Sequence, residues 1–420
     1  MNPARKPSTA PGSPGALAFD PEAIRAQFPM LGATMHGKPL VYLDNAATTQ
    51  RPRAVIDSVV EHWSTTNGPV SRGVHALGSL ATEKYESART AAASLLNAEP
   101  EFIVFTKGVT DGLNLVARSL GDELLGEGDE VVVTELEHHS NFLPWRQACL
   151  RRGAVLRVAP ITDSGELDMD ALRAMVNGRT RIVAVTHVSN VLGTVVPVSE
   201  IVSIARGVGA AVVVDGAQAP GHLPVDVQRL GCDFYAISAH KMFGPAGAGV
   251  LYMSPRWVDR LEPAQYGGGM VELASAEEST WITGPHRHEA GTPNTEGAVG
   301  LGAAVAFLGS FDRAAARAHE RSLRDAIVAG LGQIPKARVY GPAEGAPIVS
   351  FGLEGVHAHD LATVLDAEGV AVRAGHMCAQ PLMRRLGVPA LTRASIAPYN
   401  THAEVEALLD GVRRAGQIFA

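Results

Sequence analysis

"AAVVVDGAQAPGHLPVDVQRLGCDFYAISAHK", residues 210–241, decides the fold. Two short apolar runs, "AAVVVDG" (210–216) and "FYAIS" (234–238), each stop at residues able to do chemistry. Asp215-Gly216-Ala217-Gln218 follows the first, and Ser238-Ala239-His240-Lys241 ends the second. Continuously apolar, β-branched runs are the pattern of strands covered on both faces. The same texture extends outward through "EFIVFT" (101–106), "DEVVVTE" (129–135), "AVLRVAP" (154–160), "TRIVAVTH" (180–187) and "GVLYM" (249–253). Amphipathic stretches such as "TDGLNLVARSL" (110–120) and "VSEIVSIARGVG" (198–209) lie between several of them. Strands alternating with helices predict an α/β domain built on a large, mostly parallel sheet.

After about residue 308 the texture changes. A long Ala/Arg-rich helix (311–334) leads to "PIVSFGLEG", a helix "AHDLATVLDAEG", the stretch "VRAGHMCAQPL" (372–382) and a last helix "HAEVEALLDGVRRAG". The expected division is a disordered tail at 1–18, a large domain at 19–308 whose first residues can pack on the small one, and a small α+β domain at 309–420. The opening is rich in Pro, Ser, Ala and Gly and lacks the continuous apolar core of a secretory signal.

The chain has 420 residues, 46% of them hydrophobic, a net charge of -7 and three cysteines. The charge offers no surface for nucleic acid, and no apolar run is long enough to span a bilayer. Three cysteines make no disulfide framework, so a reducing cytoplasm is the expected compartment. Cys149 and Cys232 sit where small buried hydrophobes belong. Cys378 stands instead in a breaker-rich stretch that predicts an exposed loop, so it asks for a chemical explanation.

In an open α/β sheet, ligands gather beyond the carboxyl ends of the strands. There the sequence delivers Asp215 and Gln218, Ser238, His240 and Lys241, then His138 and His139 after "VVVTE" and Asn190 after "VAVTHVS". Taken alone, a lysine is more often a surface charge. Among these neighbours Lys241 reads as the amine that forms a Schiff base with pyridoxal 5'-phosphate, with Asp215 as the carboxylate facing the pyridine nitrogen. "FTKGVTDGLN" supplies Gly108, Thr110 and Asp111 at a helix start, the natural seat of a phosphate, to which Ser238 and His240 add side-chain donors. "EHHS", "HRHE" and "HAHD" lack the spacing of a zinc module, and no metal is expected. "FGPAGAGV" (243–250) lacks both nucleotide-binding spacings and reads as a turn passing close to the lysine loop.

"YLDNAATT", "EHHSNFLPW", "THVSNVLGT", "VDGAQA", "DFYAISAHKMFGP", "EAGTPNT" and "RAGHMCAQPLM" together resemble the SufS-type (group II) cysteine desulfurases, within the class-V aminotransferase-like enzymes that use pyridoxal phosphate. The resemblance runs from about residue 20 to the C-terminus. It implies the fold type I architecture of those transferases, with Lys241 as the Schiff-base lysine and Asp215 on the pyridinium. It implies further that His138 stacks on the ring and moves protons, and that Gln218 and Asn190 contact the ring oxygen. Thr110, Ser238 and His240 would hold the phosphate. Thr292 resembles a residue reaching the phosphate of a neighbouring subunit, hence a homodimer. Arg393, with Arg373 close by, would clamp the substrate carboxylate, the alternative being an ion pair with a nearby acid. Cys378 would take sulfur from L-cysteine as a persulfide, for iron-sulfur cluster assembly. Met377 and Ser71 depart from histidines common in that family. His359 resembles the contact for a SufU-type sulfur acceptor, a SufE-type acceptor being the other option, although His359 could also simply cap its helix. A selenocysteine lyase or a cysteine sulfinate desulfinase shares nearly all of these residues. An ordinary aminotransferase leaves Cys378 unexplained, and a binding protein of this fold leaves Lys241 and Asp215 so.

Overall fold

The computed structural model describes residues 18–71 and 73–419. The expected tail therefore lies, but for residue 18, outside the described residues. Seven strands form the main sheet: β1 (Ile103–Thr106), β2 (Glu130–Thr134), β3 (Val155–Ala159), β4 (Thr180–Thr186), β5 (Ala211–Asp215), β6 (Phe234–Ser238) and β7 (Gly249–Met253). Their order is β1-β7-β6-β5-β4-β2-β3. β7 runs antiparallel to both neighbours, and the remaining pairs are parallel. β2, β5, β6 and β7 are buried at every residue, as their unbroken apolar runs predict. β3, at the sheet edge, is only partly covered and carries Arg157.

Side chains alternate across this sheet. Val131, Val133, Ile182, Ala184 and Val213 belong to one core cluster, whereas Val132, Val183, Val185, Val212 and Val214 belong to another. Among the helices, α1 (Ala76–Leu96), α2 (Val109–Leu124), α3 (His139–Arg152), α4 (Val198–Arg206) and α5 (Thr295–Leu308) accompany the sheet. α2 and α3 give Leu113, Val116, Leu120 and Trp145 to the first cluster, and α4 gives Ile201 and Val202 to the second. Removing one such side chain, as in Leu120→Ala, costs about 2–5 kcal/mol.

The chain leaves β2 outward to β3 and returns to β4 on the other side of β2. A crevice consequently opens above the carboxyl ends of the central strands, at this switch in direction.

Toward the C-terminus, α6 (Arg313–Gly332), α7 (Ala358–Ala367), α8 (Gln380–Leu386) and α9 (His402–Ile418) accompany a second sheet. Its strands are β8 (Ala337–Tyr340), β9 (Ile348–Leu353), β10 (Arg373–Gly375) and β11 (Leu391–Ser395), antiparallel in the order β8-β9-β11-β10. Leu323, Ile327, Leu361, Leu365, Leu408 and Val412 pack there with Val349, Phe351 and Ala394. Val41 and Leu43 join this core from the other end of the chain. Val41–Tyr42 pairs in parallel with Val370–Ala371, and Ser395 N donates to Leu43 O at 2.7 Å. The segment after residue 41 is thereby fastened to the C-terminal core before the chain enters the main sheet.

Candidate active site

The crevice holds a cavity of about 240 Å³ that borders both cores. Asp215, Ser238, His240 and Lys241 reach it from the ends of β5 and β6, and His138 and Asn190 from the turns after β2 and β4. Arg373, Cys378 and Arg393 enter from the second sheet. Ala46 also lines it, so residues as far apart in the sequence as Ala46 and Arg393 share one chamber.

Lys241 closes a short turn, Ala239–Lys241, stabilised by Met242 N and Gly244 N donating to Ala239 O. Asp215 is buried; its Oδ1 accepts from Ala217 N at 2.9 Å. Burial pushes the carboxyl pKa of Asp215 up, countered by that amide and by Lys241. Burial likewise lowers the pKa of Lys241, with Asp215 opposing the shift. A less solvated amine of this kind is the type that reaches its neutral, nucleophilic form most readily.

His138 is the N-cap of α3: its Nδ1 accepts from Ser140 N at 3.1 Å, which leaves the ring proton on Nε2. Burial first, then Lys241, His139 and Arg393, pull its pKa down to about 3, so the ring is flat, neutral and free to lie on an aromatic partner. Burial also holds His240 down to about 4. Beneath the turn, Glu137 is buried and accepts from Thr134 Oγ1, Asn141 Nδ2 and Thr186 N at 2.6, 2.6 and 3.0 Å. Its burial raises the carboxyl pKa to about 8.

A cradle for an anion forms at the start of α2. Gly108, the N-cap, sits at φ 138°, in the region that glycine tolerates. A Cβ on Gly249 would lie 2.6 Å from Gly108 Cα, so the two chains meet through paired glycines. Val109 N donates to Ser238 Oγ at 2.9 Å, and Thr110 Oγ1 lies 2.7 Å from Ser140 Oγ. The next two amides of this helix have no acceptor within it, as at any helix N-terminus.

Arg393 is buried: Nη1 donates to Asn190 O at 2.8 Å and Nη2 to Asp44 Oδ1 at 2.9 Å, leaving Nε without a partner. The ion-pair alternative for this arginine is thus realised with Asp44, and Arg373 Nη1 stands 3.8 Å from the same carboxylate. Gln218 lines the cavity with its Nε2 bound to Ala46 O at 2.8 Å, and Asn190 Nδ2 donates to Met377 O at 2.9 Å.

Cys378 is exposed at the mouth. Cys149 and Cys232 are buried, and burial pushes their thiols up to about 11 and 12. Thr292 lies elsewhere, exposed beside a separate small cavity lined by Tyr85, Phe105 and Glu289. Ser71 is also outside the chamber, its N donating to Thr82 Oγ1 at 2.8 Å. His359 is exposed on α7, but it does not cap that helix; His357 does, its Nδ1 accepting from His359 N at 3.3 Å. Among the described residues, no group of three or more His, Cys, Asp or Glu side chains gathers to hold a metal, and no helix is long and apolar enough to cross a membrane.

Sequence reasoning assigned no role to Asp44, Ser140, Glu137 or His139. Asp44 stood in "YLDNAATT", and the other three surround His138 in "EHHS", so position beside a candidate residue was the only available signal.

The donor set fits pyridoxal phosphate. A buried carboxylate bonded to one amide suits a pyridinium N–H, the first-turn amides of α2 with the Thr110 and Ser238 hydroxyls beside them suit a phosphate, and Arg393 Nε suits a further anion. Asp215, Lys241, His138, Thr110, Ser238 and His240 would hold the group. The class-V aminotransferase family pattern matches residues 41–408. The cysteine desulfurase of Cronobacter sakazakii is 46% identical over 400 residues, covering 95% of this chain and 98% of its own. The crystal structure of the Escherichia coli cysteine desulfurase CsdA, in an S-sulfonic acid form, superposes with a TM-score of 0.90 at 38% identity, over 96% of this chain and 100% of that one. The apo cysteine desulfurase of Thermococcus onnurineus gives 0.90 at 38% identity, over 95% and 98%.

Proposed function

The chain belongs to the cysteine desulfurases of the class-V aminotransferase family, and on that premise we propose that it converts L-cysteine to L-alanine, with the sulfur held as a persulfide on Cys378. Its cofactor is pyridoxal 5'-phosphate. Bound in the chamber, this group supplies an electron sink next to the substrate's Cα.

Around it the residues divide the work. Asp215 would pair with the group's pyridine nitrogen, and the neutral ring of His138 would pack against it and can carry a proton on Nε2. Arg393, with Arg373 near the mouth, receives the substrate carboxylate through a fork-shaped donor. Lys241 Nζ removes the α-proton. Cys378, as the thiolate, attacks the substrate sulfur: an S–S bond forms as the Cβ–S bond breaks, and the carbon skeleton, protonated, leaves as alanine.

The observation that carries this reading is the presence of Cys378, an exposed thiol on a loop of the second sheet, in the same chamber as Lys241, Asp215 and Arg393. An ordinary aminotransferase has no use for it. Purified enzyme given L-cysteine and a reductant should release alanine and sulfide in equal amounts, and Cys378→Ser should release neither. Sulfide at the wild-type rate from that variant refutes the reading. Selenocysteine and cysteine sulfinate, tried in the same assay, should also be turned over without Cys378 if a lyase or desulfinase role dominates.

The finer assignment is a SufS-type enzyme serving iron-sulfur assembly in the cytoplasm, as a homodimer in which Thr292 reaches the neighbouring phosphate. Thr292's exposure, away from its own chain's chamber, supports the dimer. His359, exposed on α7 near Gly375, supports a SufU-type acceptor docking beside the Cys378 loop, in preference to a SufE-type one.

A further inference from the structure

The loop that carries Cys378 is backbone-strained at the nucleophile itself. Met377 and Cys378 have φ of 47° and 54°, the only adjacent pair of non-glycine residues at positive φ among the described residues. Side chains with a Cβ enter this region at a cost, and such a turn persists only when its surroundings hold it. Met377 packs into the main core, but Cys378 itself is exposed, so apolar packing does not hold the nucleophile's own residue.

The polar ties are specific. His139 N donates to Cys378 O at 2.7 Å, and Gln380 N donates to His139 Nε2 at 3.2 Å. One residue therefore grips the chain at the thiol-bearing residue and two positions beyond it, by its amide and by its ring. Asn190 Nδ2 holds Met377 O from the main-sheet side, while Cys378 N and Ala379 N donate within the loop to His376. His139 is the first residue of α3, next to His138, so the ring facing the cofactor site and the grip on the thiol share one turn.

We propose that His139 is a positioning residue for the sulfur-transfer step: its neutral ring and its amide clasp the Met377–Cys378 turn and fix Cys378 Sγ at the mouth of the chamber. The ring must accept at Nε2, which places its proton on Nδ1. Opening the clasp lets the turn relax, and a thiol displaced by an ångström meets the substrate sulfur poorly.

This rests on Cys378 being the nucleophile, so the holoenzyme test carries Cys378→Ser as its control. His139→Phe keeps a ring but removes the acceptor, and His139→Gln keeps an acceptor of similar reach. Single-turnover persulfide formation from L-cysteine, followed by mass spectrometry, should fall roughly tenfold in His139→Phe. The KM for cysteine and the cofactor absorption should stay at wild-type values, and His139→Gln should recover most of the rate. Gln380→Pro, which deletes the donor at a helix start that accepts proline, should reproduce the loss with His139 intact. A wild-type persulfide rate in His139→Phe overturns the clasp, as does equal impairment of the Phe and Gln variants. If Cys378→Ser still releases sulfide, the reading of the site fails instead, whatever the His139 variants do.

Discussion

Two turns that carry chamber residues each contain left-handed backbone bearing a side chain, and Phe243 in one and Cys378 in the other are held in opposite ways. Phe243, just after Lys241, has φ 72° and is almost wholly buried. Its ring packs edge-on against Phe307 and Phe28 and near Tyr399, at centroid separations of 5.3, 5.8 and 6.2 Å. Apolar burial offsets the strain there. Cys378, of the same backbone type, is exposed and held by hydrogen bonds, with the buried Met377 before it as its only apolar anchor in the strained pair. Core packing is stiff and close to all-or-none, whereas a few hydrogen bonds can exchange with water. The lysine is built into a wall, and the cysteine hangs on a latch. Under the proposed function, that difference suits an amine that stays beside its cofactor and a thiol that meets first a substrate and then an acceptor.

The contrast can be attacked at several strengths. The largest effect is expected from Lys241→Ala: loss of turnover by about 10²–10⁴-fold, together with the visible absorption of a lysine-linked cofactor. A variant that keeps the band would remove Lys241 from its role. Cys378→Ser comes next: no sulfide is expected, with the absorption intact, since the wall remains while the thiol is gone. Third, Phe243→Ala should lose about 3–5 kcal/mol in denaturant unfolding, against ~1 kcal/mol or less for His139→Phe. Equal losses would erase the distinction between the two turns.

The smallest effect is a pH slope. Burial holds His187, bonded to Tyr235 at 2.7 Å, down to about 4. The unfolded chain takes up this proton near pH 6.5 while the folded one refuses it, so stability is full above that pH and is lost as pH falls from about 6.5 to 4, by about 1.4 kcal/mol per unit. His138 and His240 act with the same sign, and Glu137, held protonated, acts against them. Replacing His187 with Asn should flatten the slope of unfolding free energy between pH 5 and 6.5 by about one proton; an unchanged slope would mean that His187 already binds its proton in the fold.

The main sheet was legible because its strands are buried on both faces, which leaves unbroken apolar runs, and because the chemistry stands at their ends. "FYAIS" matches Phe234–Ser238 residue for residue. α1 left a fainter trace: its buried face is largely alanine, at Ala81, Ala88, Ala92 and Ala93, so no bulky stripe marks it. α5 is glycine-rich, and the small exposed hairpin Val271–Ala274 with Ser279–Trp281 buries almost nothing. The pairing of Asp44 with Arg393 was beyond reach, because it joins residues 349 positions apart through two sheets and a parallel pair of two-residue strands. The strain at Cys378 was hidden too, since neither Met nor Cys signals a left-handed backbone as glycine would.

Asp44 gives the proposed carboxylate clamp an unusual character. Arg393 does not wait bare for its ligand: it already has a carboxylate, and an arriving substrate must take over that partner's place or share it. Recognition then becomes an exchange of one acid for another rather than the capture of a free cation. The desolvation of a buried guanidinium has already been met within the fold, and each candidate ligand is measured against an aspartate instead of against water. A compound with the right thiol and amine but no carboxylate has nothing to offer in that exchange, and the door stays shut.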